Sequence, residues 1–166
     1  LCVGAIEHEA GVSALSLLSA LGKIEPDKLL ETNEKHEMLK PIAHAINRHA
    51  VTTADPLELL RKLGGRETAA MIGAILAART QHIPVIVSGP TALASCAVLW
   101  RLDPSAIDHC RIAHLPQNNA LRGLIGAMIL KPILETPVNG RPDIQLAIAA
   151  GLVEASAKSF GPNTPD

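Results

Sequence analysis

Seven histidines, three cysteines and sixteen acidic residues are the groups in this sequence able to hold a metal or move a proton. The tightest cluster is His109, Cys110 and His114. On an extended strand Cys110 and His114 share a face but stand about 13 Å apart at roughly 3.3 Å per residue, whereas one zinc ion holds each ligand within about 2.3 Å. A shared metal is excluded. His44 and His49, five positions apart on a helix, turn away from a common face. The histidines therefore read as solvent-exposed or hydrogen-bonded structural residues. Cys2, Cys96 and Cys110 are odd in number and widely spaced, which argues for small core residues in a reducing compartment and against a disulfide framework. Ser88 stands in Val-Ser-Gly-Pro without the Gly-x-Ser-x-Gly elbow or a triad order, which disfavours serine hydrolysis. The Walker phosphate loop and the dinucleotide fingerprint are both missing.

Such residues are only as useful as the elements that carry them. LCVGAIE reads as a strand that starts abruptly at Leu1, as though an earlier portion were absent. Residues 11 to 21 space Val12, Leu15, Leu18 and Leu21 as an amphipathic helix ended by Gly22. Pro26 opens a short helix. A longer one follows over TNEKHEMLKPIAHAINRHA, entered at Thr32 or Asn33 with Glu37 placed to help cap, and a bend is expected at Pro41. Asp55 as N-cap, Pro56 as first helical residue and a Gly pair as stop frame DPLELLRKLGG. RETAAMIGAILAARTQ is a helix whose Ala69, Ala70, Gly73, Ala74 and Ala77 leave a smooth surface suited to close approach. IPVIVS, 83 to 88, is a buried strand with Gly89-Pro90 beyond it. Then come the helix TALASCAVLWRL, the strand RIAHL, the helix NNALRGLIGAMIL, the extended KPILETP, and a last helix opened by Asp143. Residues 161 to 166 form a loose tail.

This alternation is that of parallel βαβ units with right-handed crossovers, giving one α/β domain over residues 1–160. A mainly parallel sheet flanked by helices in a Rossmann-like, three-layer arrangement is expected. Ligands in such sheets bind beyond the carboxyl ends of the strands. Ser88-Gly89-Pro90, His114 to Asn119 and Glu135 to Arg141 would then share one rim. The whole expectation depends on 83–88 and 111–115 being neighbouring parallel strands.

Apolar residues make up 48% of the chain and aromatic ones 1%, so the core must be Ala, Leu, Ile and Val. A formal net charge of −1 with interspersed signs offers no stripe for a nucleic-acid backbone or an anionic membrane. No apolar run reaches spanning length and no signal peptide is visible, so a cytoplasmic protein is expected.

The segment DPLELLRKLGGRETAAMIGAILAA, 55 to 78, resembles the Asp-Pro-Leu, Leu-rich helix, Gly-Gly-x-Glu and Ala-rich helix of the nicotinate-nucleotide:dimethylbenzimidazole phosphoribosyltransferase family. The likeness continues without a gap. IPVIVSGPTALASCAVL is similar to that family's strand ending in Asp-Gly, and AHLPQNNALRGLIGAMILKPILE keeps the spacing of its Ser-Ala-Glu-Pro-Gly-His loop, helix and Pro-Leu-Leu-Asp strand. VGAIEHEAGVSALSLLSAL is a weaker match to its Met-Gly-Ile-Gly-Asn-Thr-Thr segment. Nearly the whole chain is covered, against roughly the second half of a full-length family member.

The resemblance implies transfer of phosphoribose from nicotinate mononucleotide to a benzimidazole-type base, in making the lower-ligand nucleotide of cobalamin, with no metal or cofactor. It implies a homodimer, or a partner chain supplying the first half. The family's base is the Glu of a Gly-Glu-Gly segment, and a carboxylate with a raised pKa suits that task. Aligned through Pro132, Ile133 and Leu134, it falls on Pro142, which accepts no proton. Asp143 and Glu135 are the candidate replacements. Asp143 would end about 1.5 Å short, a misplacement able to cost about a hundredfold in rate, and it also reads as a helix cap.

By the same resemblance the substrate-binding candidates are Lys35, Gly64, Gly65, Glu67, Ser88, Gly89, His114, Gln117 and Asn118. The glycines read equally as helix stops and packing points. Where the family has neutral Asn-Thr-Thr donors, Ile6, Glu7, His8 and Glu9 bring negative charge that would repel phosphate. An active transferase, a non-catalytic homologue that binds a nucleotide or base or serves as a partner subunit, and an unrelated α/β nucleotide-binding domain are the three functions in play.

Overall fold

The computed structural model describes residues 1–5, 10–30, 35–49 and 55–160, except the side chains at 10, 35 and 36. Four strands, β1 (Cys2–Val3), β2 (Val85–Val87), β3 (Cys110–His114) and β4 (Lys131–Leu134), form one sheet in the order β1-β2-β3-β4. Every pairing is parallel, with Val87 opposite Ile112 and His114 opposite Leu134. The runs at 83–88 and 111–115 thus supply neighbouring strands that run the same way, over the shorter spans Val85–Val87 and Cys110–His114. Because the order is sequential, right-handed crossovers carry every connecting helix to one face of the sheet. Pro132 lacks an N–H and is tolerated because β4 is an edge strand.

The first crossover is long and contains α1 (Ala10–Gly22), α2 (Pro26–Leu29), α3 (Lys35–Arg48), α4 (Pro56–Leu63) and α5 (Arg66–Thr80). The second is α6 (Pro90–Leu102) with a 3-10 turn, Pro104–Ile107, and the third is α7 (Asn119–Ala127). Helix α4 begins as its sequence dictates, with the Leu57 amide donating to Asp55 Oδ1 at 3.0 Å, Pro56 next and Gly64 closing on Leu60 O at 2.8 Å. Helix α3 runs through Pro41 from Lys35 to Arg48, and its entry at 32–33 lies outside the described residues.

Helix α6 is buried on all sides from Thr91 to Leu99, as expected of a helix with no polar face. It packs on α1 and α5, and Val3, Val85, Val87 and Ile112 join them in a single aliphatic core. The small residues of α5 lie elsewhere than that contact. Thr68, Ile75 and Ala78 are its buried positions, while Ala69, Ala70, Gly73 and Ala77 face outward. Helix α8 (Pro142–Phe160) packs against β1, β2 and β3, with Gln145 and Ala149 buried. It opens one residue before Asp143, on Pro142. Beyond Ala150 its residues are all exposed.

Candidate functional site

The carboxyl ends of β2, β3 and β4 open into a cavity of ≈ 490 Å³, within the usual size of small-molecule sites, about 300–1,000 Å³. Leu15, Leu29, Leu93, Ile112 and Leu121, from five different elements, supply apolar wall. Ser88, His114, Gln117, Asn118, Asn139 and Gln145 supply the polar groups. Gly89, Pro90 and Pro142 line the same space.

A buried strut holds one side of this cavity. Ser88 Oγ donates to Gln145 Oε1 at 2.6 Å, and Gln145 Nε2 donates to the carbonyls of Val138 at 3.0 Å and Gly140 at 2.8 Å. One amide from the first turn of α8 thereby fixes both the end of β2 and the loop that follows β4. Gly89 has φ +85°, and a Cβ there would meet Pro142 Cγ at 2.8 Å, so glycine is required where β2 passes under the start of α8. On the other side Asn118 caps α7, its Oδ1 accepting from Ala120 N at 2.9 Å and Leu121 N at 3.1 Å, and its Nδ2 donates to Lys28 O at 2.9 Å. Its side chain is committed to structure. His114 stands between, with Nδ1 3.1 Å from Leu115 O and 3.3 Å from Val138 N.

Of the residues that line this cavity, none is Lys, Arg, Asp or Glu. Among the described residues that line it, His114 is the one with a titratable side chain. A second, more open groove of ≈ 450 Å³ lies between α1, α3 and α4, beside Ser13, Ser16, His49 and Lys62. The hydroxyls there are already bonded to Leu63 O and Val12 O, at 2.7 and 2.6 Å. Among the described residues no group of His, Cys, Asp and Glu could hold a metal ion. None of the described helices is long and apolar enough to cross a membrane.

A family model described as phosphoribosyltransferase matches residues 11–160. The chain belongs to the nicotinate-nucleotide:dimethylbenzimidazole phosphoribosyltransferase family. It is 44% identical over 119 residues to the enzyme of that name from Brucella canis, covering 72% of this chain and 35% of the relative. It is 37% identical over 171 residues to that from Sinorhizobium fredii, covering 97% of this chain and 49% of the relative. The chain therefore spans half or less of these relatives' length. A crystal structure of nicotinate-nucleotide-dimethylbenzimidazole phosphoribosyltransferase from Thermus thermophilus superposes with a TM-score of 0.80 at 23% identity, over 95% of this chain and 48% of that one. That likeness is one of fold, a parallel sheet flanked by helices.

The residues singled out through the family divide into two groups. Ser88, Gly89, His114, Gln117 and Asn118 meet at the cavity, as does Pro142. Asp143 and Glu135 are not among its lining residues. Asp143 instead pairs with Arg141 at 2.6 Å, and that guanidinium holds its carboxyl below the usual range. Glu135 is exposed on the loop after β4. Gly64, Gly65 and Glu67 form the corner between α4 and α5, apart from the cavity. A Cβ at Gly65 would meet only the Glu67 carboxylate, the end of a flexible side chain that can swing aside, and the φ of −95° there suits any residue. Lys35 is the first residue of α3, and its side chain, like the whole of 6–9, lies outside the described residues.

Gln145 is the site residue that sequence reasoning passed over. Its signal was a lone amide in an otherwise apolar stretch of helix, DIQLAIAAG, on a face that turned out to be buried. Asn139 and Val138 were placed on the rim only as part of a longer segment.

Proposed function

We propose that this chain serves the transfer of phosphoribose from nicotinate mononucleotide to a benzimidazole-type base, the step that forms the lower-ligand nucleotide of cobalamin, and that its cavity receives the base. The observation that carries this reading is the aliphatic-walled cavity at the carboxyl ends of β2, β3 and β4, whose described lining holds no Lys, Arg, Asp or Glu. A bicyclic aromatic base is flat, apolar on both faces and mostly uncharged near neutral pH. It gains by leaving water for Leu and Ile walls, and its ring nitrogens need only one or two neutral hydrogen-bonding groups at the edge. A phosphate would lose its hydration there without meeting a cation, so the phosphate of the nucleotide belongs outside this cavity. Family membership supports the reaction class, and the names of the relatives supply the base.

The reading needs no cofactor and fits a cytoplasmic enzyme. It also calls for more surface than this chain provides. Ile144, Ile148 and Leu152 repeat every fourth residue along the exposed side of α8, at 50%, 45% and 43% exposure. Such a stripe supports a second copy packed there, or a chain carrying the part of the relatives that this one does not span. A second reading, a base-binding homologue without catalysis, is favoured by one observation: among the described residues no carboxylate lines the cavity, and Pro142 occupies the position the resemblance gives to the family's base.

Calorimetric titration of the chain with dimethylbenzimidazole, beside chromatography for nicotinate after adding nicotinate mononucleotide, separates the two. Binding with nicotinate release supports the transferase, and binding without release supports the binder. Failure of the base to bind ends both readings of this cavity.

A further inference from the structure

We propose that His114 is the proton acceptor of phosphoribosyl transfer in this chain, in place of the carboxylate that position 142 lacks. The inference rests on the transferase reading above. When a benzimidazole nitrogen bonds to C1′ of the nucleotide, the C1′–N bond to nicotinate breaks and its electron pair returns to the pyridine nitrogen. The N–H proton of the benzimidazole must then leave. Within the cavity wall the groups able to take it are few. Amides of Gln117, Asn118, Asn139 and Gln145 do not accept protons near neutrality, and the Ser88 hydroxyl is buried and already donates to Gln145. An imidazole does accept them in that range.

The surroundings of His114 orient it for the task. Nδ1 lies 3.1 Å from Leu115 O, and the Leu115 amide itself donates to Leu134 O at 3.1 Å, so the acceptor is anchored in the sheet. With its proton on Nδ1, donated to that carbonyl, the ring keeps a lone pair on Nε2. Nε2 bonds to none of the described residues, and it is not among their sealed, unpartnered atoms. His114 lines the cavity, and Nε2 is the ring nitrogen left for a ligand there. The Val138 amide, 3.3 Å away, competes for Nδ1. A ring nitrogen can serve only one of the two, and the arrival of a proton decides between them. The imidazolium carries hydrogens on both nitrogens, so Nδ1–H must donate, and Leu115 O is the acceptor in place. Among the described residues no Lys or Arg lines the cavity to repel that cation. The proton then passes from Nε2 to water, which balances the step.

The test compares the unsubstituted chain with His114→Gln and His114→Ala, each checked for folding by circular dichroism, with nicotinate release followed at varied concentrations of both substrates. The expected result is a fall in kcat of roughly a hundredfold, in line with general-base contributions, with both KM values within about twofold, and partial recovery of His114→Ala by added imidazole. Loss without imidazole recovery would mark a merely structural role and overturn the proposal. So would turnover retained by His114→Gln, or turnover abolished by Asp143→Asn or Glu135→Gln while His114→Gln remains active. No turnover by the unsubstituted chain would also end it. Calorimetric binding of dimethylbenzimidazole, which needs no proton transfer, would then decide separately whether the cavity reading stands.

Discussion

The amide of Gln145 can make four hydrogen bonds, and three are in use, to Ser88, Val138 and Gly140. All lie at or below 3.0 Å, and Gln145 is only 9% exposed. Replacing it by Leu keeps the size but leaves a buried hydroxyl and two carbonyls without partners. Each such loss costs about 1–3 kcal/mol when water cannot substitute. Because the loop carbonyls lie near solvent and recover water, the expected destabilisation of Gln145→Leu is about 2–3 kcal/mol by urea titration. Dimethylbenzimidazole affinity should fall with it, since the loop from Glu135 to Arg141 loses its tether. Gln145→Glu sharpens the point. It still accepts from Ser88 but cannot donate to Val138 O or Gly140 O, so base affinity should fall in this variant as well. Unchanged affinity in both would remove Gln145 from the architecture of the site.

At the scale of elements, the ends of helices follow backbone rules that side chains partly contradict. Helix α7 closes with the Ile129 amide donating to Gly126 O at 3.0 Å and the Leu130 amide to Ile125 O at 3.2 Å, the paired pattern that requires a left-handed residue at the turn. That residue is Ile129, with φ +57° and 78% exposure. A β-branched side chain there is strained by about 1–2 kcal/mol, and it buries too little surface to compensate. Ile129→Gly should therefore stabilise the chain by about 0.5–1 kcal/mol once the greater unfolded freedom of glycine is set against the relief. A lower urea midpoint for Ile129→Gly would mean that the isoleucine contributes packing beyond its exposed position. Lys23 and His82, at φ +52° and +58°, end α1 and α5 in the same conformation without glycine. Sequence reading that looks for Gly at such stops finds Gly22 one residue early and misses the other two.

Over the whole molecule, charge is spread thinly and its main structural use is at the surface. Glu58 receives two hydrogen bonds from Arg61 at 2.7 Å and lies 3.5 Å from Lys62, which lowers its pKa from 4.5 to about 2. Arg141 lowers that of Asp143, and hydrogen bonds from Ser105 lower that of Asp103. A carboxylate whose folded pKa is depressed adds stability above its unfolded value and loses it as pH falls toward the folded one. The window for Glu58 thus runs from 4.5 down to about 2. All three are solvent-screened, so each effect is modest. Thermal melts should fall from pH 5 to pH 3, and Glu58→Gln should melt lower at pH 5 yet fall less over that interval. A Glu58→Gln melt that matches the unsubstituted chain at both pH values would show the ion pair to be idle.

Much of the architecture was legible residue by residue, because its causes are local. Asp55 and Pro56 start a helix wherever the backbone around them is free to turn, and the β-branched run at 85–87 forms a strand because its side chains suit a sheet buried on both faces. Alternation of such elements implies parallel crossovers, and so the strand ends at Ser88 and His114 had to share a rim. Side-chain direction was not legible. Whether Asp143 faces the cavity or Arg141, whether the smooth face of α5 is covered or bare, and which residue of α8 reaches back to Ser88 all depend on how each helix is rotated against the sheet. That rotation is set by the sum of packing over the whole core, in which no single residue decides. Sequence by itself therefore determined the elements, their order and the rim. Tertiary packing alone decided that, among the described residues, no Lys, Arg, Asp or Glu lines the cavity, that Gln145 braces it, and that His114 stands in its wall.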